Sequence, residues 1–296
     1  MYNYCLSCCS TADLSIEHFK RRNIRYVCFH FTLDGIEYLD DLGVTISPEE
    51  LFNRMAHGAQ TQTSQVSVEE YIAHFESILK ENKDILHVTL SSGLTGTYNS
   101  ACLAKEELSS KYPDRKIYIV DSLGASSGYG LIMETLADLR DEGMSIDELY
   151  HWAEDNKLRM HHWFFSTDLS FYIRGGRISK TAGTIGTILN ICPLLNMDCH
   201  GHLTPREKIR GKKKVMKRIV EQMLSLPFHL SGRCKRGCLI SGSAISKASW
   251  KGRNLSYWHN DWKSYRTRNS CTIFLGKAKN KLVISKKGLL QCKLPF

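Results

Sequence analysis

The chain has 296 residues, of which 42% are hydrophobic and 24% charged, with a formal net charge of +10. That is long enough for a sizeable core and two domains, and it excludes a disordered, collagen-like or small disulfide-stapled chain. No apolar run approaches the ~18 residues a membrane-spanning helix needs, so no membrane insertion is expected. The opening Met1-Tyr-Asn-Tyr-Cys-Leu-Ser-Cys-Cys9 has neither the basic start nor the apolar stretch of a secretory signal. A cytoplasmic protein whose eleven cysteines are reduced thiols is the expectation.

The charge is unevenly placed. Residues 229–296 hold 15 Lys and Arg against one acid, Asp261; taking these from the totals of 40 and 30 leaves 25 basic and 29 acidic residues in 1–228. The first three-quarters of the chain is therefore slightly acidic, and the positive excess belongs to the last 68 residues.

Residues 1–160 read as an α/β domain in which strand-like and helix-like segments alternate. Tyr26-Val-Cys-Phe-His-Phe-Thr32 has the β-branched and aromatic chemistry of a strand. Ser47-Pro-Glu-Glu50 opens a helix with a cap, a first-turn proline and acids at the positive dipole end. Ser67-Val-Glu-Glu70 is a capping box, and Tyr71, Phe75, Ile78 and Leu79 then recur at helical spacing. Ile85–Leu90 is a short buried strand that runs into Ser91-Ser-Gly-Leu-Thr-Gly-Thr97 and a helix. Lys116–Val120 is the next strand, followed by a long helix to about Arg140. This alternation predicts a parallel sheet covered on both faces. Residues 161–228 restart the pattern and read as the opening half of a second, incomplete α/β domain. His161–Ser166 and Ile191–Leu195 are its strands, Arg174-Gly-Gly-Arg177 is a turn, and Thr181–Asn190 and Gly211–Met223 are helices. In residues 229–296 this grammar fails: acids and helix caps vanish, and an irregular basic tail is expected. Such a tail also raises nucleic-acid binding as a reading, but no repeat organises its charge.

Several segments have the residue types that chemistry needs. Ser91–Thr97 joins a strand to a helix, where backbone N–H groups form an anion site and hydroxyls add donors; a tight, hydroxyl-capped turn is the plainer alternative. It lacks the Gly-Lys-Ser/Thr ending of a P-loop. In Thr61-Gln-Thr-Ser-Gln-Val-Ser67 the last serine caps a helix, leaving Thr63 and Ser64 to face the crevice at the strand ends. Gly124-Ala-Ser-Ser-Gly128 fits the nucleophile-elbow pattern, so a serine hydrolase using Ser126, with Asp168 and His200 or His202, is the alternative function. Small residues packing a helix on a sheet explain the same pattern. Arg174-Gly-Gly-Arg-Ile-Ser179 and Pro205–Lys214 concentrate positive charge suited to phosphate or an acidic partner surface, or simply to solvent. Cys5-Leu-Ser-Cys8 lacks a second ligand pair beyond the loose echo of Cys234 and Cys238, so buried thiols are expected rather than a metal.

Taken together, Ser10-Thr-Ala-Asp-Leu14, Thr63-Ser-Gln65, Ser91–Thr97, Arg174–Ser179 and Glu207-Lys-Ile-Arg210 resemble the DegV family over residues 1–223. These are bacterial fatty-acid-binding proteins of phospholipid metabolism, several of which present acyl chains to a fatty-acid kinase. Where many members read Asp-Ser-Thr, this chain has Cys9-Ser-Thr. The resemblance implies a two-domain α/β fold with a fatty acid such as palmitate between the domains and no cofactor. It assigns the carboxylate to Thr63 and Thr95, with Ser92, Ser64 and the turn amides at Gly93 as helpers. It assigns Arg177 and Arg210, with neighbouring Arg174, to a partner kinase, and no residue to catalysis.

The resemblance also implies a closing segment like Ile-Gly-Thr-Thr-Ile-Gly-Ser-His-Thr-Gly, whose His helps to bind the carboxylate, and a Thr-Val-Ala-Leu-Phe-Phe strand. This chain has neither. Trp has the single codon TGG, and read one nucleotide later Trp258 and Trp262 become glycines; the neighbouring codons then accommodate Thr-Thr-Ile and Ser-His-Thr. Ser270–Leu275 accommodates Val-Ala-Leu-Phe-Phe in the same way. A frame shift between about 224 and 249 is therefore expected, which would also account for the loss of acids and would remove the His from the site. Sequencing the gene tests this: a single-base change in that window restores the Gly-Ser-His segment, and failure of every single-base change to do so refutes it.

Overall fold

The computed structural model describes residues 2–167, 169–179, 191–225, 270–278 and 281–287. A parallel sheet forms first. It contains β1 (Tyr4–Cys9), β2 (Ile24–Val27), β6 (Asp84–Thr89) and β7 (Ile117–Asp121), in the order β2-β1-β6-β7. Every residue of β1 is buried, as expected of a strand with helices on both faces. Residues three apart on a strand point to opposite faces. Cys5 accordingly packs with Tyr71 and Phe75, while Cys8 packs with Leu6 and Phe19 on the other side. The Cys-x-x-Cys therefore presents no paired thiols. Among the described residues no group of three or more His, Cys, Asp or Glu is placed to hold a metal ion; Cys234 and Cys238 lie outside the described residues.

The helices of this half follow their sequence signals. In α2 (Pro48–Ala56) Ser47 caps the helix at Glu50 N, and in α3 (Val68–Leu79) Ser67 and Glu70 form the reciprocal capping box. Tyr71, Phe75, Ile78 and Leu79 are all buried beneath α3. Further helices are α1 (Ile16–Arg21), α4 (Thr97–Lys111), α5 (Ser126–Asp141) and α6 (Ile146–Asn156).

The strand expected over Tyr26–Thr32 is in fact two. Chain leaves the parallel sheet after Val27, and β3 (His30–Leu33) joins β4 (Ile36–Leu39) and β5 (Thr61–Ser64) in a separate antiparallel sheet of order β4-β3-β5. The break is held by Phe29, which is buried in the main core while its N–H donates to Ser10 Oγ at 3.1 Å. A small core of Phe31, Leu33, Ile46, Leu51 and Met55 supports this lobe.

The second sheet departs from the expected repetition. Its strands β8 (His161–Ser166), β9 (Ile191–Met197), β10 (Leu203–Arg210), β11 (Ser270–Ala278) and β12 (Lys281–Lys287) are antiparallel, in the order β10-β9-β8-β11-β12. The connection 198–202, closed by the Gly201 N–H donating to the Asp198 carbonyl at 3.1 Å, is short enough for a hairpin, so β9 and β10 need no crossover helix. Residues 206–210 of the basic run are strand; the short helix α7 is Ser170–Arg174, and the basic helix α8 is Lys212–Ser225. The tail is not irregular throughout: 270–278 and 281–287 are strands, and β11 pairs with β8. Ile273-Phe-Leu275 and Leu282-Val-Ile284 have strand chemistry, and the open edge of β8 offers the pairing. The expected helix 181–190 lies outside the described residues. One apolar cluster joins the two halves, with Phe75, Leu90 and Leu94 against Phe164, Leu195 and Met197. Among the described residues no helix is long and apolar enough to cross a membrane.

Desolvation lowers the pKa of His74 and His162 to about 4, and that of His87 well below the usual value. Their folded pKa values lie below the unfolded 6.5, so the unfolded chain binds protons first. Stability is complete above about pH 6.5 and falls as the pH drops from there towards 4. Urea unfolding at pH 7.5 and 5 should show a loss on the order of 1–2 kcal/mol per such histidine. His74→Gln should flatten that dependence, and an unchanged slope would contradict it.

Candidate functional site

The turn after β6 gathers most of the hydroxyls singled out in the sequence. Ser91 is fully buried; its Oγ donates to the Gly201 carbonyl at 2.8 Å and accepts from Gly93 N at 3.1 Å. Asp121, at the end of β7, accepts from Ser92 N at 3.1 Å. Gly93 lies against the hairpin turn of the second sheet, where a Cβ would sit 2.6 Å from the Gly201 oxygen. Only glycine permits that approach. These contacts consume backbone and buried groups and leave the Ser92 side chain exposed.

Helix α4 begins here with Gly96 as its cap residue and no side-chain cap. Its first-turn amides and the positive end of its dipole therefore open beside the hydroxyls. Thr97 is buried and its Oγ1 lies 2.8 Å from Tyr71 OH, which fixes the helix start to α3.

The second hydroxyl segment reaches this turn through Gln65. Thr95 Oγ1 donates to Gln65 Oε1 at 3.3 Å, and Gln65 Nε2 donates to Ser100 Oγ at 3.1 Å. A Cβ on Gly96 would lie 2.6 Å from Gln65 Oε1, so a side chain there would push the Gln65 amide aside. Thr63 is partly exposed and Ser64 exposed at the end of β5, two and one residues before Gln65. The amide thus ties the chain just after β5 to Thr95 across 30 residues of sequence. Its function was not legible from the turn reading; the signal was the Thr-Ser-Gln triplet itself.

The third segment is cationic. Arg177 Nε donates to the Leu94 carbonyl, inside the turn, at 3.2 Å. The residue is half-buried, and desolvation lowers its pKa from a value so high that it stays charged. Arg174 stacks over Phe171 with 5.3 Å between guanidinium and ring centre. Arg210 is different: it is exposed at the end of β10, roughly 23 Å along the strand from Leu203. Hydrogen bonds tie Ser92, Gly93, Thr95 and Arg177 to this turn and its neighbours, whereas Thr63 and Ser64 precede Gln65 on β5 and Arg210 lies at the end of β10.

The nucleophile-elbow residue has other employment. Ser126 starts α5 with φ +54°, is buried, and donates its hydroxyl proton to Asp13 Oδ2 at 2.5 Å. Its proton is thus spent on a carboxylate, whereas a triad needs it on an imidazole. His200 and His202 sit in the hairpin turn, with their backbone N–H groups held by Asp198, and Asp168 lies outside the described residues. Cys9, the departure from Asp-Ser-Thr, is buried 3.2 Å from Tyr71 OH, and burial pushes its thiol pKa up, so it is an inert core thiol.

A model described as an uncharacterised protein of the DegV family matches residues 9–238. A DegV domain-containing protein of Clostridium perfringens is 38% identical over 214 residues, 72% of this chain and 74% of that one. The chain belongs to the DegV family. Among solved structures it superposes on a fatty-acid-binding DegV family protein from Thermus thermophilus with a TM-score of 0.67 and 32% identity, over 75% of this chain and 77% of that one. It also superposes on the Streptococcus pneumoniae fatty acid kinase B3 protein loaded with linoleic acid, with a TM-score of 0.65 and 25% identity, over 76% and 78%.

The contact of Gly93 with the hairpin turn gives a direct test of how the two halves meet. Gly93→Ala forces a Cβ into the Gly201 backbone and should cost about 1–3 kcal/mol of stability by urea unfolding. An unchanged midpoint would show that the turn and the hairpin do not touch.

Proposed function

We propose that this chain is a non-catalytic, cytoplasmic carrier that binds one long-chain fatty acid and presents its carboxylate to a fatty-acid kinase. The observation that supports this most is the Gln65 bridge, which sets the hydroxyl strand end beside the uncapped start of α4. The carboxylate is held by Thr63 and Thr95, with Ser92, Ser64 and the amides near Gly93 as additional donors. Such an array needs no general base. It stabilises an anion by hydrogen bonds and by the helix dipole while leaving an acyl oxygen accessible to a second enzyme.

The acyl chain supplies the affinity. A 16-carbon chain has ~14 methylenes, and ~0.8 kcal/mol for each gives roughly 11 kcal/mol of transfer free energy. The chain runs towards the apolar contact between the two halves, where Leu94, Phe164, Leu195, Met197 and Leu203 share a cluster. Arg177 and Arg174 at the mouth, and Arg210 further out, face the kinase. Fatty-acid binding by the Thermus protein, and linoleic acid in the Streptococcus fatty acid kinase B3 protein, are in keeping with this reading. The family match ends at residue 238, inside the window proposed for the frame shift; a site deprived of the family's His would bind more weakly than its relatives.

Palmitate titration followed by calorimetry tests the assignment. Wild-type protein should bind one equivalent, and Thr63→Val with Thr95→Val should weaken binding by about 100- to 10,000-fold, since each of the two charged hydrogen bonds contributes roughly 1.5–3 kcal/mol. Absence of saturable binding to the wild-type chain, or full affinity in the double variant, would refute it.

A further inference from the structure

Behind the start of α4 runs a line of polar side chains inside an otherwise apolar core. His74 Nε2 lies 2.7 Å from Ser7 Oγ, which lies 2.9 Å from His87 Nδ1. His87 Nε2 is 3.9 Å from Cys9 Sγ, Cys9 Sγ is 3.2 Å from Tyr71 OH, and Tyr71 OH is 2.8 Å from Thr97 Oγ1. All but His74 are fully buried. The line starts on α3, passes through β1 and β6, returns to α3 and ends on the first residue of α4.

Packing alone does not call for a hydroxyl at position 71. The Tyr71 ring is tilted against Phe75 at 5.3 Å and edge-on to His87 at 5.2 Å, and a phenylalanine would keep both contacts. The hydroxyl loses water on burial, and what offsets that loss is the thiol and Thr97. Thiol sulfur is a weak acceptor, which favours Thr97 Oγ1 as the destination of the Tyr71 proton. The amides of Thr97, Tyr98 and Asn99 precede the first intrahelical bond of α4, Ser100 N–H to the Gly96 carbonyl at 3.2 Å, and they are the amides an anion at this helix start would meet. One segment of chain reaches this opening twice: Gln65 meets Thr95 and Ser100, and Tyr71, in the first turn of α3, meets Thr97.

We propose that Tyr71 is a positioning residue of the carboxylate site. Through Thr97 it holds the first turn of α4 in one orientation, so that the amides there meet the ligand's head group in a fixed geometry, and Cys9 with the histidines behind it keeps the phenol in place. The inference rests on the fatty-acid reading above and adds to it a residue that touches no ligand. Without the Tyr71 hydroxyl, Thr97 Oγ1 is left buried and short of that partner, and the helix start shifts to satisfy it. The head group feels this shift, whereas the acyl chain does not.

Competition calorimetry on the full chain tests it, with palmitate and with hexadecanol, which has the same chain and no charge. Tyr71→Phe should weaken palmitate binding by about 3- to 10-fold, the worth of one neutral hydrogen bond, and should leave hexadecanol within about 2-fold. Tyr129→Phe is the control. Tyr129 is equally buried, and its hydroxyl accepts from Cys9 N at 2.8 Å and donates to the Val88 carbonyl at 2.6 Å, so this variant gives up two buried bonds without touching Thr97 and should bind both ligands as the wild type does. Equal weakening for the two ligands, an unchanged palmitate affinity in Tyr71→Phe, or the same selective loss in Tyr129→Phe would overturn the assignment and leave the carrier reading standing. A wild-type chain without saturable palmitate binding would overturn both. Should Tyr71→Phe fail to fold by circular dichroism, the same bond is cut from its other end: Thr97→Val should show the selective loss and Thr97→Ser, which keeps the hydroxyl, should not, and equal behaviour of these two would overturn the proposal.

Discussion

The start of helix α4 sets the terms for the rest of the structure. A helix that opens on Gly96, with no side chain to cap it, leaves its first amides unanswered. Each neighbour of that opening is fixed by a specific contact: the Ser91 turn by Gly201, Thr97 by Tyr71, Thr95 by Gln65, and the Leu94 carbonyl by Arg177. These contacts come from both sheets and from the β5 lobe. Three distant segments of sequence are therefore organised around one patch of positive backbone potential, and an anion is the ligand such a patch favours.

The division of labour follows from magnitudes. A carboxylate held by a few hydroxyls and a helix end gains selectivity and orientation, each hydrogen bond being worth little after desolvation. A long acyl chain gains far more from leaving water. The proposed site is arranged accordingly, with hydroxyls and amides at the turn and the apolar cluster of Leu94, Phe164, Leu195 and Met197 beside it. Buried groups that look reactive in the sequence are occupied elsewhere: Ser126 by Asp13, and Cys9 by its apolar surroundings and Tyr71.

Much of the N-terminal half was legible because its signals are local. Capping boxes, the Tyr71–Leu79 stripe and the strand-turn-helix grammar depend on residues a few positions apart, and they gave the parallel sheet directly. The lobe was not legible, because the kink at Phe29 depends on a hydrogen bond to Ser10 and on burial in a distant core. The antiparallel order of the second sheet was not legible for a related reason: a strand followed by a turn looks alike whether the next strand returns as a hairpin or crosses over through a helix. In the candidate site, the threonines and serines stood out by their place after strands, whereas the Gln65 bridge and the Gly93 contact are long-range and became visible only in three dimensions. The tail shows the converse: its composition announced a break in the chain's grammar, yet 270–287 still supplies backbone partners for β8.

The central claim is that the ligand's carboxylate sits ionised at the start of α4. Carbon-13 NMR of palmitate labelled at its carboxyl carbon, titrated with pH in the presence of the protein, measures this at the atom concerned. The account predicts one slowly exchanging bound resonance that stays ionised well below the pH at which unbound fatty acid takes up its proton. A labelled carboxyl that shows no bound resonance, or that titrates as it does without protein, would contradict it.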